Sequence, residues 1–430
     1  RVFIFLPTIP ERYVSFIGTL KTGAIVSTMF SAFQEMALLD RLSDSSAKIV
    51  ITNADLFPRI KKVWKDLPAL EKVVIVERGS SDFPKGDNLF SYDKEMQNAN
   101  SEFEIVHLDE NDLSYMLYTS GTTGKPKGVV HAHIDILQAI MTTKYVLDVK
   151  DDDIYWCTAD SGWVTGVGYG ILGIWGLGGT AVIYEDRFSP EGWYKLIEEY
   201  KITVWYTAPT AIRLLMGSGI DIKSFNLSSL RHLTSVGEPL NPEAIWWALE
   251  KIGLPFHDTW WQTELGGICI TNYPVMDIKP GSMGKPFPGV IAAIVDSSGK
   301  EVSIGKEGDL ALKPETVSSM MKQVWKNEEK YNSYFANGWY LSGDRAVKDK
   351  DGYFWFVGRS DDVIKTSGER VGPFEVESAL VEYPEVVEAG VIGKPDKVRR
   401  EIIKAFVVLK PGVEGSDELK EKISKFVKEN

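Results

Sequence analysis

The chain is poor in the residues that build disulfide frameworks and metal sites. It has 430 residues but only two cysteines, Cys157 and Cys269, and its five histidines fall at no ligand-like spacing. A reducing cytoplasm fits that usage. No apolar run of about 18 residues is free of charge, so no membrane span is expected. Positive charge is also scarce: 48 basic against 60 acidic residues give a net charge of −12. That balance argues against bulk nucleic-acid binding but permits a local anion site. There is no internal repeat, no low-complexity tract and no secretory head with a cleavage site. With 44% apolar and 25% charged residues, the composition is that of an ordinary globular protein long enough for two or three domains.

Strand-like runs recur at 2–6, 47–52, 72–76, 113–118, 181–184, 204–206 and 233–236. Helical patterns at 11–21, 34–43, 190–201 and 242–251 alternate with several of them. The alternation predicts α/β layers with largely parallel sheets. From about 289 to 357 the pattern turns to short strands and turns, a β-rich unit. A third unit follows, with a helix at 373–381, strands at 386–393 and 402–408, and a helix from 417. The charged Arg359-Ser360-Asp361-Asp362 segment marks the boundary, dividing the chain into 1–359 and 360–430.

The most informative segment is Tyr118-Thr119-Ser120-Gly121-Thr122-Thr123-Gly124-Lys125-Pro126-Lys127-Gly128. Glycines let the backbone present its N–H groups, hydroxyls orient phosphate oxygens and lysines supply charge. A strand precedes it, and a helix is expected from Val129, which together make a phosphate-handling arrangement. It is not a Walker A loop, in which four residues separate the first Gly from the Gly-Lys pair; here only Thr122 and Thr123 do. A surface loop without a ligand is the plainer alternative. Ser235-Val236-Gly237-Glu238-Pro239 ends one strand, where open α/β sheets bind ligands, although a structural turn would look similar. Asp258-Thr259-Trp260-Trp261-Gln262-Thr263-Glu264 makes a poor core strand and a good pocket wall, with Glu264 the candidate Mg²⁺ ligand. Asp344, after Ser342-Gly343, is a ribose candidate or an ordinary turn residue. Arg359 and Arg370 suit bidentate phosphate or carboxylate contacts. The 156–166 segment, with Trp156 and Trp163, is either a compact apolar recess or core.

Taken together, these segments resemble the adenylate-forming acyl-CoA synthetases, and within them the short-chain, AMP-forming branch. The carriers are YTSGTTGKPKG at 118–128, CTADSGWVTG at 157–166, YTAPTAIR at 206–213, SVGEP at 235–239, DTWWQTELGG at 258–267, YLSGD at 340–344 and GRSDDVIKTSGERVGPFEVESAL at 358–380. The resemblance implies two parallel-rich α/β subdomains plus the β-rich unit, followed by a small mobile α+β C-terminal domain. It implies acetate–CoA ligation: acetate attacks the α-phosphate of ATP, then the CoA thiol attacks the acyl-adenylate and AMP leaves. ATP, Mg²⁺ and coenzyme A are the implied cofactors; partners are small molecules, with neither nucleic acid nor membrane.

Carried onto this sequence, the resemblance puts Gly237, Glu238 and Pro239 along adenine and Asp344 on the ribose. Thr263 and Arg359 stand near the α-phosphate, with Glu264 on Mg²⁺; these three are the catalytic candidates. The nucleotide set also includes Thr119, Ser120, Gly121, Thr122, Thr123, Gly124, Lys125 and Lys127, together with Asp258, Thr259, Trp260, Gln262 and Arg370. Val164, Thr165, Val236 and Trp261 match the acyl pocket, the indole closing it so that acetate is favoured over propionate. Asp361 matches the hinge, and Ser367, Gly368 and Arg370 the CoA side, where Glu369 replaces a frequent His. The family's region before residue 2 and its late Pro-Lys-x-x-Ser-Gly-Lys motif have no counterpart. The ends are therefore read as cut, and adenylation by this stretch alone is expected to be weak. Competing readings are a propionyl- or other short- or medium-chain acyl-CoA synthetase, an adenylation domain charging a carrier-protein thiol, and a catalytically impaired nucleotide-binding module.

Overall fold

The computed structural model describes residues 1–78, 83–84, 86–119, 125–360, 362, 364–366, 369–396 and 400–429. Its described strands form four sheets. In the first, Val2–Phe5 lies between Val26–Thr28 and Ile49–Asn53, and Lys72–Val76, Leu89–Ser91 and Leu113–Thr119 extend the parallel part. Lys127–Ala132 and Gln323–Val324 close one edge antiparallel. The second sheet is parallel through Thr180–Ala181, Ile154–Cys157, Val204–Thr207, His232–Val236 and Phe256–Trp260, in that order. Helices Pro190–Tyr200, Pro209–Gly217 and Pro242–Lys251 pack on it over Trp156, Trp205, Leu233 and Phe256. Each opens on a proline, whose missing N–H is one the first turn would leave unpaired.

The third sheet is antiparallel, built from Ala292–Val295, Glu307–Leu312, Trp339–Lys348, Phe335–Ala336 and Phe354–Arg359. The fourth joins Glu369–Val371, Ile364–Thr366, Arg400–Leu409 and Val386–Asp396. It shares a core of its own, including Ile364, Leu380, Val386, Val391 and Ile423, with helices Pro373–Val381 and Asp417–Glu429. Among the described residues no helix is long and apolar enough to cross a membrane.

The helix expected from Val129 is absent. Lys127–Ala132 is a strand antiparallel to Leu113–Thr119, with Thr119 opposite Lys127, and the helix Ile136–Tyr145 starts only after a turn at His133–Asp135. Val129 and Val130 are fully buried, and β-branched side chains pack well on a pleated surface. The glycine-rich segment therefore connects two antiparallel strands, and no helix follows it directly. The expected strand at 181–184 shrinks to Thr180–Ala181.

Candidate active site

The strands Val204–Thr207, His232–Val236 and Phe256–Trp260 are neighbours, so the segments leaving their carboxyl ends lie side by side. Two adjoining cavities open there, of about 960 and 310 Å³, with Gly237, Gln262 and Arg359 lining both. Glu238, Pro239, Asp258, Thr259, Trp260, Trp261 and Asp344 also line the smaller one. Gly237, at φ 93°, turns the chain in a conformation other residues resist. The Glu238 carboxylate accepts from the Thr210 hydroxyl (2.7 and 2.8 Å) and from Arg213 (2.8 Å), which anchors this turn to the neighbouring helix.

Asp344 is the polar centre of the smaller cavity. Its carboxylate accepts from Trp260 Nε1 (2.9 Å), Gln262 Nε2 (3.1 Å) and Arg359 Nη1 (2.7 Å). Burial raises its pKa, and Arg359 opposes that shift. Tyr340 donates to Gln262 Oε1 (2.8 Å), so the amide's orientation is fixed at both ends. Gly343, at φ 75°, lies where an added Cβ would come within 3.1 Å of Arg359 Nη2, so a glycine admits the guanidinium. Asp258, a buried part of this wall, is pushed up to about 7 by desolvation although Ser235 Oγ donates to it at 2.6 Å.

Thr119, Lys127, Thr263, Glu264, Lys330 and Tyr334 line the larger cavity with Arg359. Burial, then repulsion from Lys330, lowers the Lys127 pKa. Two neighbouring ammonium groups lining one cavity are a site for a polyanion. Thr263 and Glu264 sit on a short turn, Thr263–Leu265, whose Thr263 carbonyl is held by His131 Nε2 at 2.8 Å. Glu264 Oε1 accepts from Tyr334 at 2.9 Å. Among the described residues no group of three or more His, Cys, Asp or Glu could hold a metal ion. A lone carboxylate facing a cation-lined cavity does fit Mg²⁺ that arrives on phosphate oxygens, because this ion keeps few protein ligands.

Trp261 is buried, its ring edge-on to Tyr169 at 5.1 Å between centroids. A directed chain of hydrogen bonds runs from Trp261 Nε1 to the Tyr206 hydroxyl (3.3 Å), on to Thr259 Oγ1 (2.8 Å) and to the Ser235 carbonyl (2.8 Å). Val236 and Val164 pack in the same cluster, and Thr165 is buried in the adjoining turn Val164–Val167. An added Cβ at Gly166 would lie 2.5 Å from the Asp160 backbone, which binds that turn closely to Asp160. Asp160 in turn pairs with buried Arg12 at 2.8 Å. Of the segment read as recess or core, Trp156 belongs to the core, whereas Gly162, Trp163 and Val164 line the larger cavity.

Ser120, Gly121, Thr122, Thr123, Gly124, Asp361, Ser367 and Gly368 lie outside the described residues, as does the side chain of Arg370. Lys125 is exposed at the base of the hairpin. Sequence reasoning missed Lys330, Tyr334, Tyr340 and His131. For Lys330 the one local signal is Asn327, which caps the helix Glu328–Asn332 that carries it.

A model of the AMP-binding enzyme family matches residues 1–323, and one of the AMP-binding enzyme C-terminal domain matches residues 375–430. The chain is 54% identical over 431 residues to an acetyl-coenzyme A synthetase of Bacillus subtilis (strain 168), covering 100% of this chain and 74% of that protein. It is 43% identical over 454 residues to the acetyl-coenzyme A synthetase of Methanothrix thermoacetophila, covering 100% and 69%. Among solved structures, an anthranilate CoA ligase, AuaEII, in complex with anthranoyl-AMP superposes with a TM-score of 0.91 at 32% identity, over 100% of this chain and 80% of that one. A Brucella canis acyl-CoA synthetase gives 0.80 at 35% identity, over 100% and 77%.

Proposed function

The chain belongs to the AMP-binding enzyme family, and from that premise we propose that it is an AMP-forming acetate–CoA ligase. An acetate oxygen attacks the α-phosphorus of ATP, the bond to the β-phosphate breaks and pyrophosphate leaves. The CoA sulfur, its proton lost to solvent, then attacks the acyl carbon and the bond to AMP breaks. No bond to the protein forms. Both reactants of the first step are anions, so the protein's work is alignment and charge neutralisation.

In this reading Gly237, Glu238 and Pro239 border adenine, and Asp344, fixed by Trp260 and Gln262, receives the ribose hydroxyls. Arg359 and Thr263 face the α-phosphate, while Lys127 and Lys330 neutralise the outer phosphates. Mg²⁺ held by Glu264 and phosphate oxygens would add further neutralisation there. Trp261, backed by Tyr169 and Tyr206, ends the acyl pocket beside Val164, Thr165 and Val236, leaving acetate favoured and propionate weaker. Ser367, Gly368 and Arg370 are assigned to CoA, and Asp361 to the pivot between 1–359 and 360–430. Two unpaired cysteines, Cys157 and Cys269, accord with the cytoplasm.

The observation that carries the proposal is Arg359 bound to Asp344 where the two cavities meet, one lined by Lys127 and Lys330 and the other by Glu238, Pro239 and Trp261. Acetate-dependent ATP–pyrophosphate exchange without CoA, and AMP release on adding CoA, test it. ADP and orthophosphate as products would refute it.

A further inference from the structure

The Glu238 anchor reaches beyond the nucleotide side. Arg213, on the helix Pro209–Gly217 and only 15% exposed, places Nη2 2.8 Å from Glu238 and 3.7 Å from Glu388 of the strand Val386–Asp396. Its Nη1 also reaches Asn241 Oδ1 at 3.5 Å. Asn241 stands at the N-cap of Pro242–Lys251, a position where Asn ordinarily accepts from the first turn, yet it makes no such bond. Its Nδ2 donates instead to Ser378 Oγ at 2.9 Å, on the C-terminal helix Pro373–Val381. The fit is close: an added Cβ at Gly217 would lie 2.8 Å from Val387 Cγ1.

We infer that Arg213 is a positioning residue that couples the nucleotide-side turn Gly237–Pro239 to seating of the C-terminal unit. The inference rests on the nucleotide reading given above. Docked, one guanidinium serves Glu238 and Glu388 together, and Asn241 bridges to Ser378. Undocked, Arg213 loses Glu388 but keeps Glu238 and the Thr210 hydroxyl (2.9 Å), and Asn241, without Ser378, is released to cap its own helix. Asn241 is thus a side chain with two discrete partners, the kind of element that transmits coupling. A nucleotide that fixes the Glu238 turn holds Arg213 in place for Glu388, and by reciprocity docking tightens nucleotide binding.

The test is a double-mutant cycle of Arg213→Met and Glu388→Gln in the whole chain, with AMP as the probe. AMP affinity is measured by calorimetry, and hydrogen exchange is followed in the strand Val386–Asp396 with and without saturating AMP. AMP should slow exchange in that strand of the unchanged protein by about fivefold, the lower end of ordinary coupling. Arg213→Met should abolish the slowing although AMP still saturates, and Arg213→Lys should restore part of it. Glu388→Gln, an isosteric change on a half-exposed side chain, should weaken AMP binding only when Arg213 is present. Full AMP-dependent slowing in Arg213→Met, or additive effects in the cycle, would overturn the inference alone. Failure of AMP to bind the unchanged protein would overturn the nucleotide reading and this inference with it.

Discussion

In the proposed function Trp261 ends the acyl pocket; its indole is held edge-on to Tyr169 and by a hydrogen bond to the Tyr206 hydroxyl. Trp261→Gly should shift preference toward longer linear acids and lower kcat/KM for acetate at least about tenfold. Deleting the buried ring also leaves a cavity worth about 3–5 kcal/mol of stability, so a melting curve should accompany the chain-length profile. A profile from acetate to octanoate identical to that of the unchanged protein would sink the assignment. Asp258 gives a pH-dependent counterpart. Folded, its carboxyl keeps a proton up to about pH 7; unfolded, it loses that proton near pH 4. Between those values the unfolded chain binds fewer protons, so stability falls as pH rises, by up to about 4 kcal/mol, and levels off above 7. Asp258→Asn lacks this loss, so its Tm advantage should grow from pH 4 to 7 and then stay constant; a gap indifferent to pH contradicts the protonation state. Both residues were legible in the sequence because they occupy one continuous run at a strand end. Lys330, Tyr340 and His131 were not, since their place at the site depends on pairings across long sequence separations.

At the scale of elements, the turn Thr263–Leu265 presents Glu264 and is closed by Gly266. Gly266 has φ 69°, and an added Cβ would lie 2.6 Å from the Ser319 carbonyl oxygen and 3.0 Å from His131 Cε1. Gly266→Ala should cost about 2 kcal/mol or more and slow ATP–pyrophosphate exchange by at least tenfold, because the strain falls on the turn that aims Glu264. Thermal melts and exchange rates check this together; an unchanged Tm with an unchanged rate would show that the turn needs no glycine. Elements with a clear start were read well from sequence: Pro242–Lys251 and Pro373–Val381 coincide with their expected spans. The segment after Gly128 was misread because Val129-Val130 carries no helical period, and only its pairing with Leu113–Thr119 makes it a strand. A strand there, unlike the expected helix, brings no helix dipole to the segment before it.

Over the whole molecule, the antiparallel sheet ending at Phe354–Arg359 gives way to a separate sheet starting at Ile364–Thr366, with Asp361 between them. Asp361→Pro would fix φ and remove an N–H at the proposed pivot. Pyrophosphate exchange should survive this change better than thioester formation from supplied acetyl-AMP, and equal loss in both assays would misplace the pivot. The central claim, that acetate is activated as an adenylate, can be followed through one oxygen atom. Supplying acetate labelled with oxygen-18, unlabelled ATP and CoA, and weighing the nucleotide product by mass spectrometry tests it most directly. AMP should carry one acetate-derived oxygen and pyrophosphate none; unlabelled AMP, or ADP with the label in orthophosphate, would mean that acetate is not activated as an adenylate.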